Sequence, residues 1–182
     1  MVHELFEYAI RYNDFTDKSL TTKMNEIIQS RIDQLYIHIF HENSLIFTRF
    51  LINETIPKAQ KFMKEHIRNI QNFSRNYMGR KPKNSSVVSI ESNNNKRPLS
   101  IYKVLGVEEE IWSPTYGIKG IIDVSVESKV QLGQFEDTLV IPLELKTGKP
   151  QLSHSAQVML YTLLMSDYYG NTEISAKFLM YM

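Results

Sequence analysis

Three side chains of this sequence stand where they could do metal and proton chemistry together. Asp123 sits in Gly120-Ile121-Ile122-Asp123-Val124, and Glu144 and Lys146 sit two apart in Pro142-Leu143-Glu144-Leu145-Lys146-Thr147-Gly148. Both segments read as strands of one hairpin. A strand alternates its faces with period two, so Glu144 and Lys146 share a side while Leu143 and Leu145 turn to a core. Two carboxylates brought to one spot repel each other unless a cation lies between them. A hard divalent ion beside a lysine is equipment for attacking a phosphodiester. Each residue also has a plainer reading. A lone strand aspartate is usually a solvated edge, and a Glu/Lys pair two apart can be a surface ion pair contributing about 0–1 kcal/mol. Both plain readings weaken here. Asp123 interrupts an apolar run from Ile118 to Val126, and Glu144 follows Val140-Ile141-Pro142-Leu143, where a charge needs a partner.

Other residues could complete such a site. Gln157 and Tyr161 are spaced i, i+4 and share one face of a helix, flanked by His154 and Leu164. A glutamine and a tyrosine there can hold a phosphate or orient a lysine; the simpler alternative is a polar edge on a packed helix. His3 lies on an early helix among Leu5, Phe6, Ala9 and Ile10. A lone helical histidine is more often structural than a ligand, but neutral imidazole binds metals well and would tilt a site towards tolerating manganese beside magnesium. Lys58, Lys61, Lys64 and Arg68 share one helical side. A solvated face is the ordinary explanation, with tracking of a DNA strand as the alternative.

Elements must hold these residues. Apolar residues at helical spacing predict helices over 3–10, 20–42 and 55–78, with 45–52 apolar enough to continue as helix. Pro57 is then tolerable in a first turn. Phe62, Met63, Ile67, Ile70, Phe73 and Tyr77 mark the buried side of the third helix. Residues 79–97, rich in asparagine, proline and basic residues, read as a flexible loop. From 99 onward the period switches to two. Strands follow over 101–112, 118–130 and 138–146, with a turn at Ser113-Pro114-Thr115-Tyr116-Gly117 and a hairpin loop over 132–137. A helix over 153–168 and a strand over 173–182 complete an α/β sandwich.

The chain has 182 residues, enough to bury a real core. Lys+Arg number 21 against Asp+Glu 20, so net charge argues neither for nor against a nucleic-acid partner. There is no cysteine, which excludes disulfides and thiolate metal sites within these residues. No apolar run has transmembrane length and no signal-peptide core opens the chain, so a soluble intracellular protein is expected. Both ends read as cut, which predicts a fragment.

Taken together these pieces resemble the PD-(D/E)XK nucleases, in their RecB-like branch. That branch orders an early-helix histidine, a Gly-x-hydrophobic-Asp strand, a Glu-x-Lys strand and a Gln-xxx-Tyr helix. Here those are His3, Gly120 to Asp123, Glu144 with Lys146, and Gln157 with Tyr161. The blocks Glu110-Ile111-Trp112-Ser113-Pro114, Gly117-Ile118-Lys119-Gly120, Ile122-Asp123-Val124 and Pro142 to Gly148, with Gln157-Val158-x-Leu160-Tyr161-Thr162-Leu163-Leu164, look most like the nuclease domain of the eukaryotic DNA replication ATP-dependent helicase/nuclease. Each block alone is weak; their order and spacing are specific.

The resemblance implies a restriction-endonuclease-like core, a mixed sheet flanked by helices, within one truncated nuclease domain over 1–182. Residues 1–78 would be its helical portion, 79–98 a polar loop and 99–182 the catalytic core. It implies Mg²⁺- or Mn²⁺-dependent cleavage of single-stranded or 5′-flap DNA in Okazaki-fragment maturation and end resection. Asp123 and Glu144, with His3 and the Leu145 carbonyl, would hold the metal. Lys146 would orient water or stabilise the transition state, positioned by Gln157 and Tyr161. The implied partners are replication protein A and a helicase domain of the same polypeptide, and the implied compartment is the nucleus, with the mitochondrion as a second. The family's iron–sulfur cluster needs four cysteines, which would lie outside this chain, and no G-x-x-x-x-G-K-[ST] loop for ATP occurs here. The alternatives are a RecB-like exonuclease of another DNA-processing pathway and a non-catalytic DNA-binding scaffold.

Overall fold

Helical periodicity gives way to strand periodicity near residue 80, and the architecture follows that switch. The computed structural model describes residues 1–40, 45–89, 96–132, 134–147, 149–170 and 178–181. They form two compact units, Met1–Gln71 and Asn72–Met182.

The first unit is helical. α1 (Val2–Tyr12) buries Val2, Leu5, Phe6, Ala9 and Ile10, a stripe at i, i+3, i+4, i+7 and i+8. It stops at Asn13, whose left-handed backbone (φ 49°) is one that asparagine tolerates and that caps helix ends. Thr16 then starts α2 (Asp17–Phe40) by accepting the Ser19 N–H on its hydroxyl. Leu20, Met24, Ile27, Ile28 and Ile32 form the buried stripe of α2. Leu35, Ile39 and Phe40, expected on the same stripe, fall outside the described side chains.

α3 (Leu45–Tyr77) departs from expectation in two ways. It is one helix, with Pro57 in its interior rather than in a first turn. Proline has no N–H to give and crowds the preceding turn, so a bend is expected there; the helix nonetheless runs on through it. Phe62, expected to be buried, is exposed, while His66 is buried beside Met63, Ile67, Ile70 and Phe73. Phe62 meets the His66 ring edge-on at 4.5 Å, which places it at the margin of the stripe. Lys58, Lys61, Lys64 and Arg68 are all exposed, as a solvated face requires.

The second unit is a five-stranded mixed sheet with one helix on it. The strands are β1 (Val87–Ser89), β2 (Lys96–Ser113), β3 (Ile118–Leu132), β4 (Phe135–Lys146) and β5 (Phe178–Tyr181), in that spatial order. Neighbours from β1 to β4 are antiparallel, while β5 runs parallel to β4. The parallel pair requires a crossover, and α4 (Leu152–Tyr168) lies in it. The last turn of α3 belongs to this unit, with Phe73 and Tyr77 packing edge-on against Phe178 at 6.0 and 4.8 Å.

Two stretches read as loop are partly strand. Val87–Ser89 lies in the polar 79–97 segment yet pairs with Lys96–Pro98, because a ladder uses backbone groups and tolerates basic side chains. The buried Ser86 anchors that pairing by accepting the Leu99 N–H at 2.7 Å. Likewise β3 and β4 continue to the pair Leu132↔Phe135, so the expected 132–137 loop is short. Residues 90–95 and 171–177, the asparagine run and the start of the expected final strand, lie outside the described residues. No described helix is long and apolar enough to cross a membrane.

α4 packs on the sheet through Leu164 and Met165, which form a buried cluster with Ile111 of β2 and Ile122 of β3. Truncating Ile122 to alanine should cost about 2–5 kcal/mol of unfolding free energy. The neighbouring Ile121, 51% exposed, should change stability by less than about 0.5 kcal/mol on the same truncation. Urea denaturation followed by circular dichroism compares the two.

Candidate active site

The site begins where the β3–β4 ladder ends. The register closes at Val124↔Leu143, and the next residues outward are Asp123 and Glu144. There the Leu145 N–H is taken by the Asp123 carboxylate, Oδ2 accepting at 2.8 Å. The aspartate is therefore fastened to the opposite strand. On its other edge β4 keeps its ladder, with Glu144 opposite Leu179 and Lys146 opposite Tyr181 of β5.

Glu144 is 1% exposed. Its Oε1 accepts from Lys146 Nζ at 2.6 Å and from Gln157 Nε2 at 2.8 Å. The same Gln157 amide nitrogen donates to the Tyr161 hydroxyl at 2.7 Å. The expected i, i+4 face of α4 thus points at the carboxylate. Burial pushes the Glu144 carboxyl above its ordinary value, and the Asp123 charge adds to that, while Lys146 and Gln157 hold part of it back. Burial likewise raises the Tyr161 hydroxyl, with Gln157 opposing and the carboxylates reinforcing.

Gly120 lets α4 come this close. A Cβ there would stand 3.2 Å from a Tyr161 ring carbon and 3.1 Å from a Leu164 methyl, tighter than ordinary van der Waals contact. The glycine ahead of the aspartate is a packing requirement between β3 and the helix.

A divalent cation suits the donors here. Glu144 Oε2 is buried and has no hydrogen-bond partner, which is costly for a carboxylate oxygen unless something positive meets it. Magnesium is commonly held by one or two carboxylates with waters and substrate phosphate completing the shell, and Asp123, Glu144 and the Leu145 carbonyl offer that kind of set. No three His, Cys, Asp or Glu side chains among the described residues form a metal-holding group. His3 is half-buried on α1, in the helical unit.

The structure therefore brings Asp123, Glu144, Lys146, Gln157 and Tyr161 into one linked cluster. Residues 1–128 match the family described as DNA replication factor Dna2. The chain belongs to the Dna2 family. It is 34% identical over 171 residues to the DNA replication ATP-dependent helicase/nuclease DNA2 of Saccharomyces cerevisiae, covering 93% of this chain and 10% of the yeast protein. The Schizosaccharomyces pombe relative of the same description is 30% identical, with 93% and 11% covered. The Arabidopsis thaliana helicase/nuclease JHS1 is 32% identical, with 92% and 12% covered. The chain thus spans roughly a tenth of the length of these Dna2 relatives. The family match runs through Asp123; the relatives' alignments extend over most of the chain.

Several supporting residues escaped sequence reasoning. Tyr181, opposite Lys146, shares a hydrogen bond of 3.1 Å with His154 Nδ1 on α4. Asp167, near the end of α4, bonds Ser113, and accepts from Thr115 Oγ1 at 2.9 Å. These bonds clamp the β2–β3 turn and hold the Asp167 carboxyl below its usual value. Tyr169 donates to Glu109 at 2.7 Å, which together with burial pushes its hydroxyl far up. Only the His154 position carried a local signal, its place on the Gln157–Tyr161 stripe. The others join residues too far apart in the chain for spacing to show.

The raised Glu144 carboxyl has a thermodynamic consequence. A group held more weakly acidic in the native state favours folding below its unfolded value and loses that contribution as pH rises through the native one. With divalent ions chelated, Glu144→Gln should melt at a higher temperature than wild type at pH 7.5. The gap should close as pH falls towards 4. Scanning calorimetry across that range checks both the sign and the window.

Proposed function

We propose that this chain carries a metal-dependent nuclease site of the PD-(D/E)XK type. It hydrolyses phosphodiester bonds of single-stranded or 5′-flap DNA, serving replication and the resection of broken ends. The observation that supports this most is the Glu144 carboxylate. One oxygen is fixed by Lys146 and Gln157, and the other is buried without a protein partner.

Asp123, Glu144 and the Leu145 carbonyl would hold Mg²⁺ or Mn²⁺, which would supply Lewis acidity at the phosphate and lower the pKa of a bound water. The remaining roles belong to side chains. The Leu145 N–H fixes the Asp123 carboxylate. Gln157 fixes the rotation of the Glu144 carboxylate, and Tyr161 fixes Gln157. The Lys146 side chain, 21% exposed, keeps its ammonium group within reach of solvent while bonded to Glu144. It can offer charge to the phosphoryl oxygens as negative charge builds there. The sheet with a parallel last strand and a crossover helix is compatible with the restriction-endonuclease-like core.

In the complete protein this site would work beside a helicase domain of the same polypeptide, on strands presented by replication protein A, in the nucleus and in mitochondria. Any iron–sulfur cluster would take its cysteines from outside these residues, which contain none.

Cleavage of a 5′-flapped oligonucleotide in Mg²⁺ tests the reading. Lys146→Ala should slow it by about 10²–10³-fold, Asp123→Ala should abolish it, and EDTA should stop the wild type. Equal rates in wild type and both variants would refute it.

A further inference from the structure

The helix α4 meets the sheet through two polar contacts three residues apart. Gln157 donates to Glu144 of β4 at 2.8 Å. His154 shares a hydrogen bond of 3.1 Å, through Nδ1, with the Tyr181 hydroxyl of β5. Residues three apart are neighbours on one face of a helix. Tyr181 is also the ladder partner of Lys146, which sets the two strands about 4.8 Å apart at that level. Lys146 in turn bonds Glu144. Both strands thus turn these groups towards the same helix, and the His154–Tyr181 pair borders the Glu144–Lys146 pair on its β5 side.

This pair keeps one donor unspent. Where the phenol O–H donates to Nδ1, the ring proton sits on Nε2. Where the Nδ1–H donates to the phenol oxygen, the phenol O–H is left over. Among the described residues neither side chain has a second hydrogen-bond partner. Both residues are half-buried, so a ligand can reach them. The first turn of α4 carries no acidic side chain, so no carboxylate on that turn repels an anion. A phosphodiester offers acceptors only, and histidine and tyrosine are ordinary donors to it.

We propose that His154 and Tyr181 form a subsite for a phosphodiester of the cleaved strand, next to the one held at Asp123 and Glu144. The proposal rests on the nuclease reading of that cluster. Tyr181 donates to Nδ1 and so keeps the proton on Nε2, and Nε2 donates to a phosphate oxygen. Glu144 and Lys146 are two residues apart, about 6.6 Å at strand rise, a separation similar to that of successive phosphates in an extended strand. Tyr181 is level with Lys146, so a strand whose scissile phosphate meets the carboxylates sets its neighbouring phosphate beside the pair. Such a contact reads backbone rather than base, and it fixes which bond stands at the carboxylates. The rival role is a clasp that only fastens α4 to β5, and the experiment below separates the two.

The 182-residue protein in Mg²⁺ is given a labelled thymidine flap with one internal methylphosphonate, which replaces a charged phosphate oxygen by a methyl group. The modified linkage itself resists cutting. In wild type, cutting of the adjacent linkage on one side should also fall, by about tenfold, the effect of losing one charge-assisted hydrogen bond. In His154→Ala that second gap should vanish, and the unmodified flap should be cut about tenfold more slowly at low DNA concentration, with the loss in KM. His154→Phe keeps a ring without a donor and should also lose the gap. His154→Gln places an amide N–H near the position of Nε2 and should keep it. Melting temperatures of the variants identify any that fail to fold, and His154→Phe carries the test if His154→Ala does.

A gap of equal depth in wild type and in a folded donor-free variant would overturn the proposal and leave the clasp. So would a wild type whose cutting falls only at the modified linkage. The nuclease reading fails separately: if Asp123→Ala cuts as fast as wild type while the His154-dependent gap persists, the subsite stands and the assignment of the carboxylates does not. A protein that cuts no flap removes both.

Discussion

One hydrogen bond organises the site: the Leu145 N–H donated to the Asp123 carboxylate. A backbone N–H inside a sheet must find an acceptor, and it normally finds a carbonyl on the next strand. Here a side chain takes that role just beyond the last regular pair of β3 and β4. The exchange anchors the aspartate across the strands and puts Glu144 beside it. The other arrangements serve that fork. Gly120 clears space for α4, and α4 brings Gln157 and Tyr161 over the glutamate.

The fork is electrostatically expensive. Glu144 is buried, lies near a second carboxylate, and has hydrogen bonds to only one of its oxygens. A buried ion pair by itself gives little or no net stability over an apolar replacement. Leu143 and Leu145 flank Glu144 and are fully buried, so the sheet has ample apolar material without it. Under the proposed function this carboxylate is a binding group, whose unfavourable free energy a bound cation would relieve.

The placement of the candidate site residues is legible in the sequence where spacing is local. Period two placed Glu144 and Lys146 on one side, and i, i+4 placed Gln157 under Tyr161. The α/β class and the turn at 113–117 followed from the change of period and from Pro114 and Gly117. Register was not legible. The bond from Leu145 to Asp123, the pairing of Tyr181 with Lys146 and the reach of Asp167 to Ser113 join residues far apart in sequence. No periodicity encodes such distances. The error at Phe62 has a different origin, since a helical stripe specifies a face and leaves its margins open. Val87–Ser89 reads as loop by its polar surroundings, yet pairs because a ladder depends on backbone groups.

The parallel seating of β5 bears on how the polypeptide matures on the ribosome. The β3–β4 hairpin closes between near neighbours, from Leu132↔Phe135 outward, and can zip up as soon as it emerges. Leu143 must wait for Phe178, across the whole of α4, and long-range parallel pairing is slow to form. For that interval the nascent hairpin displays its two acids in water, where they tolerate one another. Their confinement depends on α4 and β5, both of which follow the hairpin in the chain.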